Sequence, residues 1–527
     1  MSRRPPAPAL RGLAAACLLA VAGSSLGAQT FAVADPILQK IWTEGMQSSQ
    51  MYSLAQALMD SIGPRLTGSP AIKSGNDWLV ARYTSWGIDA KNEQYGTWKS
   101  WRRGVTHIDL LTPRVRALEG TMLAFSPGTK GKIDGKVVII PDVADSAAFA
   151  AWLPKARGNY VMIAMPQPSC RPDANWKEFA LVDEVERMQK DRTTATQAWT
   201  TRVTAGGGAR NLAGRIEAAG AKGILSNLWS FGWGVDKIFN ARTTTIPTLD
   251  LSCEDYGLVY RLTERNQNPT IRVDAESQDL GEQPVFNTIA RIPGTEKPNE
   301  YVMLSAHFDS WDAGSGATDN GTGTITMMEA LRILKTVYPN PKRTILVGHW
   351  SGEEQGLNGS RAWAADHPEV VKGLQALFNQ DNGTGRVVNM STSGLVGAGA
   401  FYGRWFAKLP AELTRNITLS FPGAPAGGGS DNASFICYDA PGFGLGSNSW
   451  DYGAYTWHTN RDTFDKIVFD ELRQNAVLTA MLAYLASEDP ETIPRARRVM
   501  AADARTGQAA LWPACVTPAR TSSQSTR

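Results

Sequence analysis

From residue 286 onward, short apolar runs alternate with helix-like segments at a regular spacing. The pattern predicts strands over 299–306, 343–350 and 374–380, and helices over 322–337 and 357–366. Strands and helices that alternate in this way form βαβ units, in which the strands are parallel and the helices cover the sheet. The predicted fold class is therefore α/β, with a mostly parallel sheet flanked by helices. In such folds, sites form beyond the carboxyl ends of the strands.

The chain is longer than one hydrophobic core usually organises, at 527 residues. Between about 117 and 280 the sequence pattern changes to short β-type runs separated by turns. We interpret this stretch as a smaller inserted α/β domain, the alternative being that it continues one sheet. The remaining predicted parts are an N-terminal portion of the main domain at 29–116, the main domain at 281–489, and a loosely attached tail at 490–527.

Other segments carry weaker patterns. Helical spacing of apolar residues predicts helix over much of 36–60, over about 72–86 and over about 469–487, although Gly45 interrupts the first pattern. Residues 90–113 are expected to form an extended pair.

Residues 1–28 have the order of a secretory signal. Arginines come first, an apolar run from Leu13 to Ala22 follows, and small residues lead to Ala28. We predict cleavage near Ala28 and export, which makes the chain secreted or periplasmic. A retained membrane anchor is the alternative, but the apolar run is short for a span. Four cysteines then remain in a compartment that permits disulfides, and their pairing is left open: Cys170, Cys253, Cys437 and Cys515.

Composition and charge limit the classes of molecule that the chain is expected to bind. The formal net charge of +3 is close to neutral for this length, and no basic stripe indicates nucleic acid. No segment after the N-terminus is apolar and long enough for stable membrane insertion. The 17 tryptophans leave a carbohydrate-binding protein as one alternative. A homodimer is compatible with the sequence.

Candidate metal ligands follow the first strand of the regular part. His307, Asp309 and Asp319 lie in a Gly-rich segment at the end of that strand. Imidazole and carboxylate are the ligands that zinc takes at open catalytic sites. Asp309 is placed to accept the second N–H of the His307 imidazole. The alternative is a polar loop with an Asp-Asn-Gly turn.

Further candidates follow the next strands. Of the adjacent Glu353 and Glu354, one can bind metal while the other acts as general base. Asp381 closes the third strand, and His458 lies in a loop rich in Tyr and Trp. Each of these residues also has an ordinary structural explanation. A Glu pair can interact favourably with a helix N-terminus, an Asp can form a turn, and a His can pack in the core. Together they occupy consecutive strand ends or loops on one side of a single inferred sheet, which favours a shared site.

The ordered set His-x-Asp, Asp, Glu-Glu-x-Gly, Asp, His resembles the co-catalytic dizinc aminopeptidase family, and within it the plasma glutamate carboxypeptidase branch. The run from Gly63 to Ser69 is similar to that branch too. The resemblance implies a zinc exopeptidase fold with an inserted protease-associated domain, and a peptide substrate. It also implies two Zn²⁺ with the following roles: His307 and Asp381 on one ion, Glu354 and His458 on the other, Asp319 bridging, Glu353 as general base and Asp309 as orienter of the histidine.

An aminopeptidase is the simplest function hypothesis, with carboxypeptidase or dipeptidase action as the runner-up. A non-hydrolytic relative, either a one-zinc glutaminyl cyclase-like transferase or a receptor-like scaffold, is the rival class. Complete ligands together with Glu353 argue against that class. Tyr452 or Tyr455 could stabilise the oxyanion, Asp431 has no assigned role, and His349 is expected to be structural.

Overall fold

The computed structural model describes residues 34–502, 505–508 and 510–525. The predicted signal at 1–28 lies outside these residues. The α-helices are α1 (Pro36–Gln47), α2 (Met51–Gln56), α3 (Pro70–Ser85), α4 (Ser146–Trp152), α5 (Asp173–Phe179), α6 (Val182–Ala205), α7 (Leu212–Ala218), α8 (Cys253–Glu264), α9 (Thr322–Val337), α10 (Asn358–Asp366), α11 (Pro368–Gly373), α12 (Ala398–Phe406), α13 (Ala411–Thr414), α14 (Ala433–Ile436), α15 (Tyr452–Tyr455) and α16 (Phe469–Glu488).

The strands are β1 (Asp89–Thr112), β2 (Arg116–Ala117), β3 (Gly120–Met122), β4 (Ile133–Ile139), β5 (Tyr160–Met162), β6 (Gly223–Ser226), β7 (Trp229–Gly232), β8 (Val235–Asp236), β9 (Thr248–Leu251), β10 (Thr270–Ile292), β11 (Lys297–His307), β12 (Arg343–Trp350), β13 (Leu374–Asn379), β14 (Val387–Ser391), β15 (Thr418–Ser420) and β16 (Gly442–Ser447). The alternation predicted from residue 286 is thus present, with strand ends within two residues of the predicted ones.

The sheet that carries the site has the order β15-β14-β16-β13-β11-β12-β10. The pairs β11–β12, β11–β13 and β13–β16 are parallel, whereas β10–β12 and β14–β16 are antiparallel. Residues 343–350 of β12 are buried throughout, as expected for a strand covered by helices on both faces. The predicted α/β class is confirmed.

Helices α1, α9 and α16 pack with one face of this sheet in the largest hydrophobic cluster. Asp35 starts α1 by accepting a hydrogen bond from the backbone N–H of Ile37 at 2.8 Å. The helix continues through Gly45, where a Cβ atom would lie 2.3 Å from Val477 Cγ2. Gly45 therefore permits α1 to lie close against α16, and it does not interrupt the helix as its sequence suggested.

Two long strands, β1 and β10, run antiparallel from the Asp89–Arg291 pair to the Thr112–Thr270 pair. The sequence predicted an extended pair over 90–113, whereas the structure has one strand there with register shifts, for example between Gln94 and Gly96. Bulges let a long strand bend without ending. Because β10 pairs with β12 at one end and with β4 at the other, one sheet path continues into the 117–280 region.

The 117–280 region continues the sheet with the order β4-β5-β6-β9-β3, in which β4–β5, β5–β6 and β6–β9 are parallel. It has hydrophobic clusters of its own, one of which includes Phe149, Trp199 and Ile216. Helix α6 was absent from our sequence interpretation, because only Met188, Trp199 and Ala205 of its 24 residues are buried. The boundaries of an inserted domain stay a prediction.

The four cysteines form the pairs Cys170–Cys253 and Cys437–Cys515. The second disulfide ties down the C-terminal segment, which the sequence predicted to be loosely attached. That expectation is wrong for the described part of the segment. The backbone N–H of Thr97 donates to the Arg520 carbonyl at 2.8 Å, and the Arg520 guanidinium donates to the Tyr95 carbonyl at 3.0 Å.

Candidate metal centre

The candidate ligands meet at one edge of the sheet because the strands that precede them are parallel. His307 is the last residue of β11, Glu354 follows β12, and Asp381 follows β13. Asp319 lies in the segment Ala317–Gly321 that leads into α9. His458 comes from the loop after α15, where its φ of 54° lies in the left-handed region.

These five side chains form two groups that share Asp319. His307, Asp319 and Asp381 make up one group, and Asp319, Glu354 and His458 the other; within each, one ligand atom per residue lies within 4.8 Å of the others. His307 Nε2 is 3.0 Å from Asp381 Oδ1 and 3.4 Å from an Asp319 oxygen. His458 Nε2 is 2.8 Å from Glu354 Oε2 and 3.2 Å from the other Asp319 oxygen.

The tautomer of His307 follows from its second ring nitrogen. His307 Nδ1 lies 3.0 Å from the backbone carbonyl oxygen of Asp309. A carbonyl can only accept, so the proton sits on Nδ1 and the Nε2 lone pair is left for a metal. The Asp309 carboxylate is more distant, at 3.7 Å. The atom of Asp309 that meets the second ring nitrogen of His307 is therefore its backbone carbonyl oxygen.

The Asp309 carboxylate, fully buried, is engaged elsewhere. It accepts the backbone N–H groups of Glu353 and Glu354, each at 3.2 Å, and the Thr67 hydroxyl at 3.0 Å. Because both glutamates are anchored by their main chain to one carboxylate, Asp309 fixes the glutamate pair as well as the histidine.

Arg65 gives a structural role to the run from Gly63 to Ser69, which the sequence analysis singled out for its resemblance to the plasma glutamate carboxypeptidase branch. Its buried guanidinium donates to the carbonyls of Phe308, Ser315 and Gly316 at 2.7, 2.8 and 2.9 Å. Burial lowers the pKa of Arg65 to about 10, against the opposing effect of nearby aspartates. The arginine therefore stays charged and holds the segment between His307 and Asp319.

Asp462 is a residue that the sequence interpretation missed. Its carboxylate accepts the backbone N–H of Thr318 at 2.8 Å, the Thr318 hydroxyl at 2.8 Å and the backbone N–H of Asp319 at 3.0 Å. It positions Asp319 through the main chain. Its only sequence signal is its place four residues after His458.

Closely spaced carboxylates determine the pKa values of the candidate ligands. Burial alone would lower the pKa of His307, but Asp381 and Glu353 outweigh it and hold that pKa well above its ordinary value. In the same way, Glu354 and Asp319 overcome burial and raise the pKa of His458 to about 9. Burial raises the pKa of Glu354 to about 7. Bound cations would compensate carboxylates gathered at this density.

The 117–280 region holds the loop that carries His458. The backbone N–H of Ile238 donates to the His458 carbonyl at 2.7 Å. Asn460 accepts from the Asp236 backbone at 3.0 Å and donates to the Gly234 carbonyl at 3.1 Å. The Phe239 ring meets the His458 ring edge to face at 5.3 Å. Placement of His458 therefore depends on contacts with this region.

The site opens into a cleft of about 870 Å³. Five of its lining residues are candidate site residues: Asp319, Glu353, Glu354, Asp381 and His458. Aromatic side chains form much of the remaining wall: Trp98, Phe125, Phe239, Trp311, Tyr452 and Trp457. A volume of this size accommodates a short peptide.

The secondary candidates fall in different places. Tyr452 lines the cleft, whereas Tyr455 is not among the lining residues. Asp431 is fully buried, and burial raises its pKa to about 7. His349 is buried in β12, where its Nε2 lies 2.8 Å from the Tyr83 hydroxyl, so it belongs to neither ligand group.

Comparison with known proteins gives a consistent result. Residues 287–483 match the sequence model of peptidase family M28. Carboxypeptidase Q of Mus musculus is 25% identical over 462 residues, covering 86% of this chain and 88% of that protein. Leucine aminopeptidase 1 of Coccidioides posadasii (strain C735) is 30% identical over 216 residues, or 38% of this chain and 55% of that protein.

Solved structures share the fold. A peptidase M28 precursor from Shewanella amazonensis SB2B has a TM-score of 0.61 and 24% identity, covering 87% of this chain and 97% of that one. A zinc aminopeptidase from Bacillus subtilis has a TM-score of 0.54 and 19% identity, covering 85% and 97%. Fold and family match together define a metal-dependent exopeptidase. The resemblance to this peptidase family that the motifs predicted is thus confirmed, with the family match lying over residues 287–483.

Proposed function

We propose that this chain is a two-zinc exopeptidase that removes N-terminal residues from peptides. The proposal is carried by one observation, the two ligand groups that share Asp319. A carboxylate with one oxygen directed to each group is the expected bridge between two ions. The complete set of ligands disfavours a one-zinc transferase and a scaffold without metal.

We assign one zinc to His307 and Asp381 and the other to Glu354 and His458, with Asp319 on both. Imidazole nitrogen and carboxylate oxygen are the ligand types that zinc prefers at catalytic sites. Glu354 Oε1 is buried and accepts no hydrogen bond from the described residues, so it is available to a cation. Two divalent ions would also compensate the three carboxylates of the ligand set, of which Asp319 and Glu354 are buried.

Glu353 is the general base in this proposal. Zinc, when bound, polarises the scissile carbonyl and lowers the pKa of the attacking water. Glu353 takes the proton of that water and passes it to the leaving amine. Burial, together with the neighbouring Asp381 and Glu354, raises the pKa of Glu353 well above its ordinary value, which suits a proton acceptor. The hydrogen bond from the Glu353 backbone N–H to Asp309 keeps the base at the cleft wall.

Carboxypeptidase or dipeptidase action is the second candidate. It is favoured by relatives that cover 86% of the chain, because those of Mus musculus and Homo sapiens carry the name carboxypeptidase Q. The metal chemistry is common to both candidates. They differ in whether the substrate needs a free amino or a free carboxyl terminus.

We also propose export of the chain and an inserted protease-associated domain over 117–280. Two disulfides support an oxidising compartment, secreted or periplasmic. Across the described residues, no helix has the length and apolarity needed to cross a membrane. The domain proposal is supported by the cleft residues that this region supplies, among them Phe125 and Phe239.

The test is hydrolysis by the purified mature chain before and after removal of metal. Aminoacyl-p-nitroanilides and dipeptides should be cleaved, cleavage should stop on chelation, and added Zn²⁺ should restore it. Peptides with a blocked amino terminus should resist. Full activity of metal-free protein would contradict the zinc mechanism, and preference for amino-blocked over carboxyl-blocked peptides would replace the aminopeptidase with a carboxypeptidase.

A further inference from the structure

The cleft has a cationic part in addition to the carboxylates of the candidate metal site. Lys99, Arg210, Arg242 and Arg361 all line the cavity that contains Glu353 and the ligand side chains. They come from four separate places: strand β1, the turn before α7, the loop after Phe239, and helix α10. Cations brought to one cleft from distant parts of a chain create a local positive field for a negative group of the substrate.

Two of these cations have partners within the protein. Lys99 Nζ lies 3.3 Å from an Asp279 carboxylate oxygen, and an Arg361 nitrogen donates to the Gly356 carbonyl at 2.7 Å. Arg210 and Arg242 differ, since their side chains make no hydrogen bond and no ion pair with any residue in the described ranges. Their guanidinium groups are thus free to bind a ligand.

The backbone holds both arginines in place. The backbone N–H of Ala241 donates to the Ala124 carbonyl at 2.8 Å, directly before Arg242. Arg210 lies in a turn fixed by hydrogen bonds from Gly208 to Val203 and from Asn211 to Gly208, at 2.9 and 3.1 Å. The backbone at both arginines is therefore held by hydrogen bonds.

The distance from the metal ligands is limited by chain geometry. The backbone N–H of Ile238 donates a hydrogen bond to the carbonyl of His458, and Arg242 follows Ile238 by four residues. Four residues reach at most about 14 Å, and an extended dipeptide or tripeptide spans about 7–11 Å. A short peptide with its scissile bond at His458 and Glu354 thus has a length comparable with the greatest possible separation of Arg242 from Ile238, and Arg242 lines the same cleft.

We propose that Arg210 and Arg242 form a subsite that binds a carboxylate of the peptide substrate. Guanidinium is the side-chain group best matched to a carboxylate, because its N–H donors bind both oxygens in parallel. The carboxylate is either the C-terminal α-carboxylate of a short peptide or an acidic side chain. This inference rests on the proposed exopeptidase function and adds a substrate class to it: short or acidic peptides.

The experiment compares three substrates with the zinc-loaded full-length mature enzyme. Ala-Leu offers an α-carboxylate, Ala-Glu-amide offers only a side-chain carboxylate, and Ala-Leu-amide offers neither. The double variant R210Q/R242Q should lose roughly 10- to 100-fold in kcat/KM on the carboxylate substrate it recognises, mainly through a higher KM. Cleavage of Ala-Leu-amide should change less than about twofold.

Arg187→Gln provides the matched control, since Arg187 is an exposed arginine of the same region on α6 and does not line the cleft. It should leave all three rates unchanged. A selective loss on Ala-Leu assigns the subsite to the α-carboxylate, and a selective loss on Ala-Glu-amide assigns it to a side chain. Equal rates of the double variant and the wild type on all three, or equal losses on all three, would overturn the subsite alone. Failure of the wild type to cleave any peptide would instead contradict the proposed function.

Discussion

At the scale of single residues, Asp309 shows how one side chain organises the candidate site. Its backbone carbonyl sets the tautomer of His307, and its carboxylate accepts the N–H groups of Glu353 and Glu354. The sequence predicted Asp309 as the acceptor of the second N–H of His307, and in the structure the atom next to that nitrogen is the Asp309 backbone carbonyl oxygen. The spacing of two residues reveals proximity, whereas the choice between carbonyl and carboxylate depends on the local turn.

Replacing Glu353 by Gln separates proton transfer from metal binding. The amide keeps the size of the side chain and cannot accept the proton of the attacking water. We expect kcat to fall by at least about 100-fold while zinc content stays unchanged. Steady-state kinetics and metal analysis of the same preparation test this. Turnover close to wild type would remove Glu353 from its role as base.

His349 gives a prediction for pH. Burial lowers its pKa from 6.5 to about 3, so between these values the unfolded chain binds a proton that the folded chain does not. The contribution of neutral His349 to the free energy of unfolding is therefore fully present above pH 6.5. It is lost as the pH falls toward 3. Between pH 7 and pH 5 the loss amounts to about 2 kcal/mol.

The measurement is chemical unfolding of wild type and His349→Gln at pH 7 and pH 5, both with excess zinc. Because metal release affects both proteins alike, the difference between them isolates His349. The variant should lose about 2 kcal/mol less than wild type over this interval. Identical pH dependence in the two proteins would show that His349 does not titrate as described.

At the scale of elements, prediction succeeded where the signal is local. Strands β11, β12 and β13 each contain a short apolar run, and their bounds were predicted to within two residues. The sequence analysis predicted two extended segments where the structure has the single long strand β1, because its bulges and glycines look like breaks in the sequence. Helix α6 was missed because a mostly polar helix leaves little apolar periodicity.

Residues that act through the main chain were the hardest to predict. Asp462 holds Asp319 by accepting backbone N–H groups, an interaction that leaves no spacing motif. The same applies to Arg65, whose partners are carbonyl groups about 250 residues away in sequence. The five ligands and Glu353 could be proposed from sequence because each follows a recognisable strand or motif. Their supporting contacts required the fold.

The contact between the 117–280 region and the His458 loop yields a prediction at this scale. Asn460→Ala removes two hydrogen bonds, to Asp236 and Gly234. We expect a loss of about 1–3 kcal/mol in stability. Zinc affinity, measured by competition with a chelator, should also fall, because His458 is then less well placed. Asn175→Ala on α5 should change neither quantity, and equal zinc affinity of Asn460→Ala and wild type would contradict the dependence of His458 on this contact.

At the scale of the whole molecule, the cleft is assembled from distant parts of the chain. Segments at one edge of the main sheet supply the candidate ligands, the 117–280 region supplies Arg210, Phe239 and Arg242, and the C-terminal segment supplies Ser522 and Ser525. The disulfide Cys437–Cys515 fixes that last segment. Its attachment could not be predicted, because sequence alone leaves the pairing of four cysteines open.

The account depends most directly on two zinc ions held by five side chains. Metal content of the purified mature chain, measured by elemental mass spectrometry alongside peptide hydrolysis, tests this. We predict about two zinc ions per chain in fully active protein, and loss of at least one in His307→Ala and in His458→Ala. Fully active protein with one zinc or none, or variants that keep both ions, would contradict the dinuclear site.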